Sequence, residues 1–207
     1  MAAIIEKVTD FITRRAYGTT ELLLFEHPAA GIQIPAGTVE VGETPAAAAL
    51  REAAEETGLT DLTIRQYLGT TEERLERERV ITAATSVYVR PDPAGVAWAR
   101  LPRGLTVTLE RLVAGFAQVT YQEFDRLPDP QYVTYHLTGW VPDGVLADTK
   151  RRHFFQLTFD GPSADRWVMA VDHHHFTLFW APVTALPAII APQDTWLTRW
   201  QAELWSP

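Results

Sequence analysis

The chain has 207 residues, of which 46% are hydrophobic and 21% are charged, a composition typical of globular proteins. Its net charge of −8 argues against the nucleic-acid backbone as the main partner, because proteins that bind it usually carry a basic patch. No apolar stretch approaches the roughly 18 residues of a membrane span, and the absence of cysteine excludes disulfides and thiolate metal sites. We therefore expect a cytoplasmic protein with no membrane partner, in which any metal is bound by oxygen or imidazole.

The first part of the chain predicts strands around one helix. Short apolar runs bounded by turn residues such as Gly18 predict a hairpin and a short third strand, at Asp10–Tyr17, Glu21–Glu26 and Gly31–Ile34. Thr44 as an N-cap and Pro45 in the first turn predict the start of a helix, and Gly58 predicts its end. This helix is expected over Pro45–Thr57. Two more strands are expected around the charged run Glu72–Arg79, at Leu62–Thr70 and Val80–Arg90.

A change in the sequence pattern after Pro93, to short alternating strands, indicates an inserted unit. Short alternating strands are predicted at Val107–Leu109, Phe116–Tyr121 and Tyr132–Leu137. The segment Gly139-Trp140-Val141-Pro142, with Leu146, resembles the end of a small bacterial Src-homology-3-like barrel. A packing or dimer-forming module is one interpretation of this insertion, and a lid that shapes substrate choice is another.

The last part of the chain returns to the pattern of the first. Apolar residues alternate at Phe155–Phe159 and again at Phe176–Trp180, which predicts that the first sheet resumes. One face of a C-terminal helix is predicted to carry Trp196, Leu197, Trp200 and Leu204. The predicted organisation is a first part at residues 1–95, an insertion at 96–150 and a second part at 151–207.

Three glutamates of the predicted helix have the spacing of one helix face. Glu52, Glu55 and Glu56 stand at i, i+3 and i+4. Three carboxylates so placed, with Arg51 beside them, repel one another unless a cation lies between them. Oxygen ligands in this number suit magnesium or manganese, and magnesium is often held by carboxylates together with substrate phosphates. A solvated acidic surface is the alternative interpretation.

The stretch Gly37–Leu59 resembles the Nudix box in every specified position, with Ala53 as a small apolar residue. The matching residues are Gly37, Glu43, Arg51, Glu52, Ala53, Glu55, Glu56, Gly58 and Leu59. The resemblance implies an α/β fold, a Nudix-type α/β/α sandwich with a mixed sheet, here interrupted by the small all-β barrel. It also implies a pyrophosphohydrolase, in which water attacks phosphorus at a diphosphate linkage of a nucleoside diphosphate derivative.

The resemblance assigns roles to individual residues. Glu52, Glu55, Glu56 and the main-chain carbonyl of Ala36 would bind Mg²⁺ or Mn²⁺. The candidate catalytic residues are Glu52, Glu55 and Arg51, with Glu52 or Glu55 as the base. Arg51 is expected to form an ion pair with Glu43, and Gly37, Glu43 and Gly58 are the structural residues of the motif.

Several points stay open in the sequence. A further acidic residue from a later loop has five candidates that spacing does not separate, namely Glu73, Glu76, Glu110, Glu123 and Asp172. The expected partner is a small nucleotide-like molecule of unspecified identity, no substrate-binding residue is predicted, and a homodimer is left open. A nucleotide-sensing domain without catalysis, with the insertion as its interaction module, is the alternative function.

Overall fold

The computed structural model describes residues 3–171 and 174–205. Within these residues the strands of the first half are β1 (Ile4–Ala16), β2 (Thr19–His27), β3 (Gly31–Gln33), β4 (Ala36–Thr38), β5 (Leu62–Arg74), β6 (Glu78–Ile81), β7 (Thr85–Tyr88) and β8 (Ala97–Leu101). The later strands are β9 (Thr106–Val113), β10 (Phe116–Phe124), β11 (Val133–Pro142), β12 (Leu146–Ala147), β13 (Thr149–Phe159), β14 (Arg166–Val171) and β15 (His174–Pro182). The helices are α1 (Pro45–Thr57), α2 (Gln193–Leu204) and a single 3-10 turn (Asp143–Val145). Neither α-helix is long and apolar enough to cross a membrane.

The described chain forms two compact units. The sandwich unit comprises residues 7–70, 126–128, 152–171 and 174–205. The all-β unit comprises residues 3–6, 71–125 and 129–151. The chain passes from one unit to the other within β1, β5 and β13.

An eight-stranded sheet forms the centre of the sandwich unit. Its strand order is β14-β15-β2-β1-β13-β5, with β3 added to β2 and β4 added to β1. The hairpin pairs Thr13 with Leu22, and β4 lies antiparallel to β1 with Val8 opposite Gly37. The α/β fold with a mixed sheet that was expected from the sequence is confirmed.

The two helices pack against opposite faces of this sheet. Side chains along a strand alternate between the two faces, so neighbouring residues of one strand contact different helices. Leu23 and Phe25 of β2 pack in one core cluster with Ala53 of α1. Leu22 of the same strand packs in another cluster with Leu204 of α2. All four predicted apolar residues of α2, namely Trp196, Leu197, Trp200 and Leu204, belong to that second cluster, so the predicted face is confirmed.

The predicted bounds of α1 are confirmed by its capping. The Thr44 hydroxyl accepts a hydrogen bond from the amide of Ala47 at 3.2 Å, which satisfies a donor of the first turn. Pro45 is the first helical residue. Gly58 ends the helix with φ = 74°, and its amide donates to the carbonyl of Ala54 at 2.8 Å.

The all-β unit contains an antiparallel sheet in the order β12-β6-β9-β10-β11-β7-β8. Instead of one strand over Val80–Arg90, the structure has β6 and β7, and both belong to this sheet. They join it because Ile81 and Val87 are fully buried in a cluster with strands of the predicted insertion. The unit therefore includes residues 3–6 and 71–95 in addition to most of the range 96–150 that was predicted as the insertion. The strand order runs from β12 at one edge of the sheet to β8 at the other. A closed Src-homology-3-like barrel is not confirmed.

Gly58→Ala should lower the free energy of unfolding by about 1 kcal/mol, because a side chain disfavours the left-handed conformation at the end of α1. The added Cβ would also lie 3.1 Å from the sulfur of Met169. Urea unfolding measures the change. Gly144→Ala is the control, since that glycine has open space around it and no left-handed φ, and equal losses in both variants would contradict the expectation.

Candidate active site

Two glutamates of α1 are held against the backbone of β4. The amide of Thr38 donates to Glu52 at 2.9 Å, and the amide of Ala36 donates to Glu56 at 3.1 Å. Both carboxylates can reach β4 because they stand four residues apart on the helix, one turn above the other. Hydrogen bonds from amides stabilise the ionised form of a carboxylate and fix its direction. The first and last of the three predicted glutamates therefore meet the same short strand.

Arg51 connects the loop before α1 to the glutamates of the helix. Its guanidinium donates two hydrogen bonds to Glu43, from Nε at 3.0 Å and from Nη2 at 2.9 Å. The same Nη2 donates to the carbonyl of Thr38 at 3.1 Å. Nη1 lies 3.1 Å from both Glu52 and Glu55. The ion pair expected between Arg51 and Glu43 is thus present as a bidentate contact, and Arg51 also contacts two of the three glutamates.

The pKa values of this pair are shifted in the directions that favour its charged state. The hydrogen bonds from Arg51 hold the pKa of the Glu43 carboxyl below its ordinary value, against a smaller opposing effect of burial. Hydrogen bonding to Glu43 in turn raises the pKa of Arg51. Both side chains are partly exposed, at 25% and 16%, so solvent screens the attraction.

The glycine that opens the motif makes room for Glu52. A Cβ built on Gly37 would overlap the side-chain carbons and one carboxylate oxygen of Glu52. The backbone of β4 and the Glu52 side chain are therefore in direct contact at this residue. Gly37 is required here for close approach, and its φ lies outside the left-handed region.

Asp10 is a candidate site residue that the sequence analysis did not select. It lies on β1 between Val8 and Ile12, which both pack in the core cluster of α1, so its side chain belongs to that same face. It is completely buried, and neither of its carboxylate oxygens has a hydrogen-bond partner among the described residues. Burial, followed by the charges of Glu56 and Glu52, raises the pKa of Asp10. An aspartate on the apolar face of a predicted strand was the sequence signal that could have identified it.

The donor set around α1 fits a hard divalent cation in its chemistry. All the side chains concerned are carboxylates, and the buried Asp10 places a further unpartnered carboxyl beside Glu52 and Glu56. Across residues 3–171 and 174–205, however, no three His, Asp or Glu side chains already stand in a metal-binding arrangement. Each of the three glutamates instead forms a hydrogen bond with β4 or with Arg51.

The structure does not select among the five later acidic residues considered as a further carboxylate of this site. Four of them belong to the all-β unit: Glu73, Glu76, Glu110 and Glu123. The fifth, Asp172, lies outside the described residues. The carboxyl that the structure does place beside Glu52 and Glu56 is that of Asp10, from the first strand.

The comparison with protein families agrees with this geometry. The NUDIX domain family matches residues 8–96, a range that contains Asp10, β4 and all of α1. This part of the chain is therefore similar to a NUDIX domain. The match and the intact motif support the enzyme class expected from the sequence, a Nudix pyrophosphohydrolase that acts on phosphorus-containing anhydrides.

The solved structures to which this chain was found to be similar include two of Ap4A hydrolase from C. elegans. One is 16% identical, covers 98% of this chain and 99% of that chain, and has a TM-score of 0.46. The other, described as a binary complex, is also 16% identical, covers 97% of each chain and has a TM-score of 0.49. A search of curated proteins found no match. Neither structural likeness defines the substrate of this chain.

Glu43→Gln should destabilise the protein near neutral pH, and the loss should shrink in acid. The ordinary pKa of the carboxyl is 4.5, and Arg51 lowers it in the folded state. The stabilisation is therefore present above the unfolded-state pKa and disappears as the pH falls through the lowered folded-state pKa. Urea unfolding of both proteins from about pH 7 to about pH 3 measures it. Glu40→Gln, on an exposed residue of the same loop, is the control, and a pH-independent loss would contradict the assignment.

Proposed function

We propose that this chain is a metal-dependent hydrolase that cleaves a diphosphate linkage in a nucleoside diphosphate derivative by attack of water on phosphorus. The observation that carries this proposal is the arrangement of Glu52, Glu55 and Glu56 on one face of α1. Two of them are fixed by backbone amides of β4, and the third is held by Arg51. Such fixed carboxylates present their charge in one direction without the reorganisation that a mobile acidic surface requires.

The residues that would hold the cation are Glu52, Glu55, Glu56 and the carbonyl oxygen of Ala36. They are all oxygen donors, which suits Mg²⁺ or Mn²⁺. When bound, the cation would neutralise charge on the phosphoryl oxygens and make the attacking water more acidic. Ala36 is close enough to α1 for its amide to donate to Glu56, so the backbone at this residue already meets the helix.

Glu52 or Glu55 is proposed as the base that takes a proton from water. The water oxygen then forms a bond to phosphorus, and the bridging P–O bond breaks with its electron pair going to the leaving phosphate. The two residues differ in surroundings. Glu55 has 58% of its side chain exposed, which gives water direct access, whereas Glu52 is 16% exposed and bonded to β4.

Arg51 is proposed to act as a positioning residue. Its guanidinium has its contacts with Glu43, Glu52, Glu55 and the carbonyl of Thr38, so its role is to fix the loop and the glutamates. Arg51→Lys keeps the charge but loses the bidentate contact, since an ammonium group cannot bind both oxygens of Glu43 in a plane. The cytoplasmic location, the homodimer and the roles considered for the insertion stay predictions.

The proposed activity is tested with Mg²⁺ or Mn²⁺ and a panel of nucleoside triphosphates, nucleotide sugars, ADP-ribose and dinucleoside polyphosphates. At least one compound should be split at its diphosphate linkage, and chelation of the cation should abolish turnover. Glu55→Gln or Glu52→Gln should lower kcat by about 10²-fold or more, the contribution usual for a general base. The variant that removes the base should also lose the acidic limb of the pH-rate profile.

Glu40→Gln is the matched control for these two variants, because it makes the same chemical change on an exposed residue of the adjoining loop. It should retain full activity. If no compound in the panel turns over while a nucleotide still binds, hydrolysis is excluded for these substrates and the sensing function takes its place. If both glutamine variants retain full activity, neither Glu52 nor Glu55 is the base.

Gly37→Ala should lower kcat without a matching loss of stability. Its methyl group would overlap the Glu52 side chain, which must move away from β4 to relieve the overlap. Moving Glu52 breaks its hydrogen bond with Thr38 and removes a proposed ligand from its position. Steady-state kinetics and urea unfolding of the same preparation separate the two effects. Unchanged kcat would show that the position of Glu52 is not needed for turnover.

A further inference from the structure

We propose that Asp10 supplies an additional carboxylate to the cation site of α1, so that the site is built by the first strand as well as by the helix. This inference rests on the proposed function, because it concerns the same cation. It is independent of the motif, since Asp10 lies 27 residues before Gly37 and outside its pattern. The argument depends on where Asp10 lies, on what its oxygens contact and on the charges around it.

The burial of Asp10 is the first observation. Its exposed fraction is 0%, and both carboxylate oxygens are buried without a hydrogen-bond partner among the described residues. Carboxylates in protein interiors are normally ion-paired, fully hydrogen-bonded or bound to a metal, because an isolated buried charge is very costly. Its main-chain amide, in contrast, is satisfied by the carbonyl of Pro35 at 2.9 Å. The unmet requirement is therefore confined to the carboxyl group.

The charged groups around Asp10 indicate which ligand would stabilise its carboxylate. The charges that act on it are those of Glu56, Glu52 and Arg152, and the two glutamates act together against ionisation. Arg152 acts in the opposite direction and lowers the pKa of Asp10. It donates to the carbonyl of Val8 and the hydroxyl of Thr9 and stacks over Trp196 of α2, and it forms no hydrogen bond with either oxygen of Asp10. A cation on the α1 face would compensate all three carboxylates at once.

A neutral, protonated Asp10 with a purely structural role is the competing explanation. A protonated carboxyl has an O–H donor that requires an acceptor when it is buried, and leaving it unsatisfied costs about 1–3 kcal/mol. No acceptor contacts either oxygen of Asp10 among the described residues. Protonation would therefore remove the charge but leave a buried donor unsatisfied. Coordination of a hard cation would stabilise the ionised carboxylate, because carboxylate oxygens are the usual ligands of such ions.

The test measures Mn²⁺ binding to the full chain without substrate, by calorimetry and by the Mn²⁺-induced shift in the urea midpoint. Asp10→Asn should weaken Mn²⁺ binding about tenfold or more, comparable with the loss of a group that supports a metal site. The Mn²⁺-induced stabilisation should fall accordingly, because a ligand stabilises the state it binds in proportion to its affinity. Without the cation, Asp10→Asn should be at least as stable as the wild type, since it removes a buried carboxyl beside two others.

Glu56→Gln and Glu40→Gln are measured alongside. If Glu56→Gln weakens Mn²⁺ binding and Asp10→Asn does not, the inference about Asp10 is overturned while the proposed cation site stands. If neither variant weakens binding, the cation site of the proposed function is overturned as well. An Asp10→Asn protein that is destabilised without the cation but binds Mn²⁺ normally would assign Asp10 a structural role. Asp10→Ser, a smaller polar replacement, repeats the measurement should the asparagine variant not fold.

Discussion

The guanidinium of Arg51 determines how the candidate site is assembled. It forms ion pairs with three carboxylates of the motif, those of Glu43, Glu52 and Glu55. Its planar group of five donors allows a bidentate contact with Glu43 and leaves further N–H groups for the backbone of β4 and the helix. The loop, the strand and the helix are thereby fixed together by one side chain.

The α1 face carries more carboxylates than Arg51 contacts. Besides Glu43, Glu52 and Glu55, it includes Glu56 on the helix and Asp10 on β1. The amides of Ala36 and Thr38 donate hydrogen bonds to Glu56 and Glu52, and both glutamates raise the pKa of Asp10 after the larger effect of its burial. The remaining negative charge can be compensated by protons or by a cation. In the proposed site this negative charge would favour the binding of a divalent cation, and the cation would in turn bind the phosphate groups of a substrate.

The parts of this protein that follow from local chemistry were predictable from the sequence. The bounds of α1 are set by Thr44, Pro45 and Gly58, and each acts on the backbone of its own neighbours. The apolar face of α2 follows from helical periodicity alone. In contrast, the alternation in Val80–Arg90 is compatible with either sheet, because it specifies a buried face and not a partner strand. Pairing of Val80 with Thr106, and of Tyr88 with Trp140, decides the question, and such distant pairings have no local signal.

The two glycines of the motif show the same difference between a role that follows from the local sequence and a role that follows from a distant contact. Gly58 is needed because the residue after the helix has a left-handed φ. A glycine at this position is a sequence signal for the end of a helix. Gly37 has no such φ, and what excludes a side chain there is Glu52, fifteen residues later in the chain. Its role depends on a contact formed only when β4 and α1 are packed together. Asp10 belongs to the same category, since the charged groups that act on it are more than forty positions away in the chain. The chemistry-bearing helix could thus be found from spacing, whereas the residues that shape its surroundings become visible only in three dimensions.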